Sequence, residues 1–244
     1  TRLCLAWSET AECINFWESV VGWPAHPPRG PVTLTLYACL FIKYKYKEFF
    51  SFVIMLIIHT TVNATIAAST CHLACLQESK LEDVDAYTAA FLGGYRLKGF
   101  AQRPAVGTRG GILLLWNEDH VRVESVQYGD YTLSASVTII SSNISFKLTS
   151  VYGPTRNNLK ETFFQEMKDQ KPANSVRWLV TGDFNQIYRA RDKNRPNANR
   201  GRIVRFRNTL NFCELKEIHI QNRKYTWSNE QSNPTMSKLD GFFF

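Results

Sequence analysis

The stretch VRWLVTGDFNQIY, residues 176–188, decides how the chain is read. Trp178, Leu179 and Val180 form an apolar run that reads as a buried strand. It stops at Gly182, and Asp183 and Asn185 follow at once with only Phe184 between them. Strand side chains alternate, so an extended chain would bring the two polar groups to one face. A carboxylate there can take a proton from water, and the amide can hold that water, or the carboxylate, in one orientation. The plainer reading is a turn, with Gly182 and Asn185 as turn formers.

Two other apolar runs end in the same manner. Leu73–Leu76 ends at Gln77 and Glu78, and a carboxylate is a hard oxygen ligand suited to magnesium. Residues 144–151 end at Tyr152 in SVYGP, where a phenol can donate to an oxygen as it becomes charged. Taken singly, these are a surface pair and a turn; in this order they are more specific. GGILLLW, residues 110–116, predicts a buried strand opened by a glycine turn. Residues 121–126 alternate, and 131–140 and 144–151 predict two strands joined through SSN. Leu159, Phe163 and Met167 share a helical face, with Asn158 and Glu161 as a capping pair. Ile203, Phe206, Leu210 and Cys213 recur at helical spacing, and EIHI and YTWS predict two short final strands. Strands interrupted by a few helices predict an α+β or layered α/β sandwich.

Lys and Arg number 29 against 21 acids, a net charge of +8, which favours anionic partners. Much of the surplus follows the opening stretch directly, in Arg189, Arg191, Lys193, Arg195, Arg200 and Arg202. These predict either phosphate-backbone contacts with nucleic acid or a solvated polar face. The six cysteines show no CxxC pair and no zinc spacing, which predicts an intracellular chain with free thiols, nuclear if it acts on DNA. Residues 1–69 read differently: prolines in 24–31 exclude helix, and the apolar stretch 49–68 reads as a core element or, alternatively, a membrane span. They are expected to pack poorly, as an unassigned segment before a domain at 70–244. Nothing in the sequence indicates an oligomeric state.

CLQESKL, GGILLLW, SVYGP, GDFN and KYTWSNEQSNPTMSKLDGFF together resemble the endonuclease/exonuclease/phosphatase superfamily, over residues 70–244. The likeness is greatest to the endonuclease domain of plant LINE-type retrotransposons. It implies two packed, mainly antiparallel β-sheets flanked by helices, and phosphodiester hydrolysis of DNA with Mg2+ (or Mn2+). Glu78 would be the metal ligand, Tyr152 would contact the scissile phosphate, and Asp183, supported by Asn185, would orient or deprotonate the attacking water. Asp240 would be the acid that orients a histidine. Two family motifs are not found, an Asn in a WN-x-R-G stretch before Glu78 and a Ser-Asp-His stretch after Asp240. The resemblance therefore implies a sandwich incomplete at both ends, with weak or no activity. The other readings are a nucleic-acid-binding remnant without catalysis, and a phosphodiesterase or phosphatase acting on a phosphoinositide or nucleotide.

Overall fold

The computed structural model describes residues 2–6, 51–106, 110–220, 224–229 and 231–244. Most of the expected N-terminal segment, residues 7–50, lies outside the described residues. The chain divides into two compact units, residues 1–124 with 137–145, and residues 125–136 with 146–244.

The first unit holds strands β1 (Arg2–Ala6), β2 (Leu73–Gln77), β3 (Gly99–Arg103) and β4 (Ile112–Trp116), with helices α1 (Ser51–Ala68) and α2 (Ala86–Leu92). Its sheet is antiparallel in the order β1-β2-β4-β3. β2 and β4 are apolar and buried nearly throughout, as expected of central strands covered on both faces. Ala74 and Leu76 of β2, and Leu113 and Leu115 of β4, pack with Val62 and Ile66 of α1 and Ala89 and Leu92 of α2. α1 thus carries the end of the 49–68 stretch into this core. Among the described residues, no helix is long and apolar enough to cross a membrane.

Two polar ties fix α1. The Asn63 amide donates to the Phe91 carbonyl. Arg96 closes the open end of the helix by donating to the carbonyls of Ile66 (2.8 Å), Ser69 (2.6 Å) and Cys71 (3.0 Å). Helix ends leave carbonyls without intrahelical partners, and one guanidinium serves several at once here. Nearby, the rings of His72 and His120 stack at 3.8 Å.

The second unit holds a mixed sheet in the order β5-β6-β7-β8-β12-β9, with β5 (Val121–Tyr128), β6 (Thr132–Ile139), β7 (Ile144–Tyr152), β8 (Trp178–Asp183), β9 (Glu217–Ile218) and β12 (Asp240–Phe243). The outer ends of β5, β6 and β7 fall in the first unit's residue ranges. A small ladder pairs β10 (Trp227–Ser228) with β11 (Met236–Ser237). Helices α3 (Lys160–Asp169) and α4 (Arg200–Phe212) bury Phe163, Phe164, Met167, Phe206 and Leu210 with Val151, Val180 and Phe243 of the sheet. Glu166 of α3 accepts from Asp130 N, Tyr131 N and Thr132 Oγ1, which fixes the β5–β6 turn. The expected Asn158–Glu161 cap does not form. A 3-10 turn over Asn157–Leu159 leads into α3, and Glu161 pairs instead with Arg205 at 3.0 Å. The fold class is the expected α/β sandwich type, with antiparallel and mixed sheets flanked by helices.

Arg96→Ala should lower the unfolding free energy by roughly 2–4 kcal/mol, because it strands several helix-end carbonyls. Urea denaturation checks the loss, and amide exchange should quicken first around residues 62–69.

Burial, then the charges of His120 and Arg96, push the His72 imidazole down to about 4. The native state therefore binds fewer protons than the unfolded chain, whose histidine titrates near about 6.5. This group's contribution to stability is intact above that value and is lost as pH falls through about 4. His72→Phe keeps a ring at the stack and cannot titrate, so its stability should fall less steeply on acidification over that window.

Candidate active site

β7 and β8 run parallel, and β12 runs antiparallel to β8. Their registers meet in one row: Tyr152 is the partner of Asp183, and Asp183 is the partner of Asp240. Three side chains far apart in sequence are thus set on adjacent strands at the same height. Directly opposed side chains have Cβ atoms about 4.5–5.5 Å apart, and like charges there destabilise a sheet. Asp183 is only 1% exposed and Asp240 only 3%, so bulk water screens neither. Two opposed buried acids are unusual in a sheet and mark a candidate site.

Gly182 lets the row form. Its φ is +138°, and a Cβ on it would stand 2.1 Å from the Val151 carbonyl oxygen of β7. Pairing continues one residue past the strand, where Gly153 N donates to Asp183 O at 2.7 Å.

Beyond Asp183 the chain does not stay extended, which corrects the expectation from strand alternation. Asn185 lies in the left-handed region (φ 48°), and its N–H donates to Asp183 Oδ1 at 2.9 Å, closing a turn. Its Nδ2 donates to the Gly153 carbonyl at 2.8 Å. The amide therefore ties the β8 loop to the β7 loop. The physical cause is Phe184, buried against Phe206 and Phe243 with ring centroids 5.4 and 5.0 Å away. Phe184 stays in the core while Asn185 turns back onto the Asp183 carboxylate.

Asp240 is placed by Thr226, whose Oγ1 accepts from Leu239 N (2.9 Å) and Asp240 N (3.1 Å). Past the ends of β7 and β8 lies Lys160, which sequence reading missed. Its Nζ donates to Pro154 O at 3.0 Å and Asn185 O at 3.2 Å, and it is buried. Burial, then the Arg202 charge, pull the ammonium down, the Asp183 charge opposes them, and it rests at about 8. A signal was available: Lys160 precedes Phe163, Phe164 and Met167 at helical spacing, which puts a cation on the apolar face.

The structure brings Tyr152, Asp183, Asn185 and Asp240 together in the second unit. Glu78 belongs to the first. It follows β2 with φ 58°, and its carboxylate, with a quarter of the side chain exposed, pairs with Lys80 Nζ at 3.4 Å. Among the described residues, no group of three or more His, Cys, Asp or Glu could hold a metal. A single accessible carboxylate nevertheless fits Mg2+, which keeps several waters and is commonly bound through one or two carboxylates plus phosphate oxygens.

The basic run is more anchored than a solvated loop. Arg189 stacks on Tyr188 at 4.5 Å and forms an ion pair with Glu217. Glu217 also binds Lys238 at 2.7 Å. Burial would raise the Glu217 carboxyl, but the hydrogen bonds and charges of Lys238 and Arg189 outweigh it, so it lies below its ordinary value. Lys193 bridges to Ser237, Arg195 donates to Asn233 O at 2.7 Å, and Asn194 binds Pro234 O and Met236 N, so the segment is laced to the β10–β11 loop. Arg191 and Arg200 are exposed, and Arg202 is half-buried in the first turn of α4.

No protein-family model and no curated protein matches the sequence. Solved structures do match. The endonuclease domain of TRAS1, a telomere-specific non-LTR retrotransposon, superposes with a TM-score of 0.54 at 16% identity, covering 76% of this chain and 78% of that one. TDP2 of D. rerio, complexed with a single-strand DNA product, gives 0.53 at 13% identity, covering 78% and 76%. The mannosyl-6-phosphatase Bt3783 of Bacteroides thetaiotaomicron gives 0.52 at 10% identity, covering 82% and 81%. Likeness at these identities is likeness of fold, and the fold is that of the endonuclease/exonuclease/phosphatase proteins.

Gly182→Ala should separate β7 from β8 beneath the row, at a cost of at least about 2 kcal/mol from strain and overlap with Val151. Thermal unfolding checks this; an unchanged midpoint would refute the close approach.

Proposed function

We propose that the chain hydrolyses phosphodiester bonds of DNA with the help of Mg2+ or Mn2+. The observation that carries this reading is the row of Tyr152, Asp183 and Asp240 at the ends of three adjacent strands. Asp183 is the base: its carboxylate takes a proton from, or orients, the attacking water. Asn185 holds the loop on which that carboxylate sits. The Tyr152 phenol donates to a phosphate oxygen as charge grows on it. Glu78, in the first unit, is the carboxylate that would hold a divalent cation. Arg191, Arg200 and Arg202 provide electrostatic attraction for a polyanion, and the last two sit where the α4 dipole also favours anions.

The test is nicking of supercoiled plasmid. Slow nicking with Mg2+ that stops on chelation, and falls on the order of 10²-fold or more in Asp183→Asn, supports the proposal. Salt-sensitive binding of DNA without nicking would select the remnant reading instead. Release of inorganic phosphate from monoesters, with plasmid left intact, would select the phosphatase reading.

A further inference from the structure

Lys160 occupies a position where a lysine is expensive to bury, at the start of α3 on the face that packs Phe163, Phe164 and Met167. It is acted on by the charge of Asp183. Its two hydrogen bonds go to backbone carbonyls, Pro154 O and Asn185 O. Pro154 lies two residues after Tyr152, and Asn185 two residues after Asp183. One ammonium therefore bridges the two loops that leave the row.

Two other bonds cross between the same loops, Asn185 Nδ2 to Gly153 O and Gly153 N to Asp183 O. Each belongs to backbone or amide and is indifferent to pH. Lys160 alone among the three ties can change its charge. The charged groups that act on it are Asp183 of β8, which favours the ammonium, and Arg202 of α4, which opposes it.

We infer, on the basis of the hydrolase reading above, that Lys160 is a positioning residue of the reaction: its charged ammonium clamps the Tyr152 loop to the Asp183–Asn185 loop and holds the base in register with the phosphate-binding phenol. Hydrogen bonds from a charged donor are roughly twice as strong as neutral ones, so loss of the proton loosens the clamp. It also removes a positive charge from the neighbourhood of Asp183. Burial brings this proton loss to about pH 8.

The experiment combines a rate profile with a titration read without turnover. In the full chain, nicking should decline as pH rises through about 8. Lys160→Arg keeps its charge, so it should retain activity and lose that decline. Lys160→Met should lower kcat on the order of 10²-fold with little change in KM, because displacement acts on geometry rather than on DNA affinity. A Lys160→Met protein that is folded and as fast as the parent, or an alkaline decline that persists in Lys160→Arg, overturns the inference. Nicking by none of the proteins at any pH overturns the hydrolase reading instead. The titration uses the ε-carbon NMR signal of Lys160, identified by its absence from Lys160→Arg. Its midpoint should lie near 8 and move down in Asp183→Asn, which removes the anion favouring the ammonium. A midpoint that does not move shows that the clamp and the base are uncoupled, and overturns the inference whatever the rates show.

Discussion

At Gly182 the backbone of β8 lies so close to β7 that a methyl group would overlap the Val151 carbonyl. That approach sets the register of the parallel pair, and the register sets the row. Tyr152 can neighbour Asp183 only because nothing stands between residues 151 and 182. On the other side, Gly241 pairs with Gly182, and Asp240 therefore falls opposite Asp183. Two glycines thus lie paired next to the row, Gly182 beside Val151 of β7 and opposite Gly241 of β12. The same closeness lets Gly153 N reach Asp183 O, so the loops start their departure from the sheet already joined.

Charge is the second constraint, and it divides the cations of this unit by role. Lys238 and Arg189 serve buried Glu217, and Asp192, raised first by its burial, accepts from Arg189 N and caps a short 3-10 turn. Buried ion pairs add little net stability but fix geometry well, because breaking them strands a charge. Here they hold the loop after β8 beside β9 and the β10–β11 ladder. Lys160 holds the loops at the row. Arg191 and Arg200 remain for solvent or for an anion.

Much of this was legible where one interaction fixed one feature. β4, β7 and β8 follow from apolar runs, and the buried faces of α3 and α4 follow from residues 163, 167, 206 and 210 at helical spacing. Tyr152, Asp183 and Asp240 were each picked out as residues of one site, but the pairing that sets them in a row was not, since register depends on residues up to about sixty positions apart in sequence. At Asn185 the extended and the turn readings were both open, and the Asn185 N–H on the Asp183 carboxylate decides for the turn. Lys160 was missed because a charge on an apolar helical face is ordinarily read as solvent-facing, and only its two carbonyl partners reveal otherwise. α1 was ambiguous because its apolar stretch reads as a core element or, as the lesser alternative, a membrane span, until Val62 and Ile66 are seen among Leu92 and Leu115.

Nucleases and phosphatases share this fold, so the fold alone does not choose between a phosphodiester and a phosphomonoester. The difference is one of reach. A terminal phosphate is satisfied by contacts confined to the reacting group, whereas a polymer adds many phosphates outside it and rewards charges spread along the surface. Among the described cations, Arg189 and Lys238 are committed to Glu217, whereas Arg191 and Arg200 are exposed on the loop after β8 and at the start of α4. On the reading proposed above, exposed charges of that kind would favour a substrate with phosphates beyond the reacting group over a small monoester.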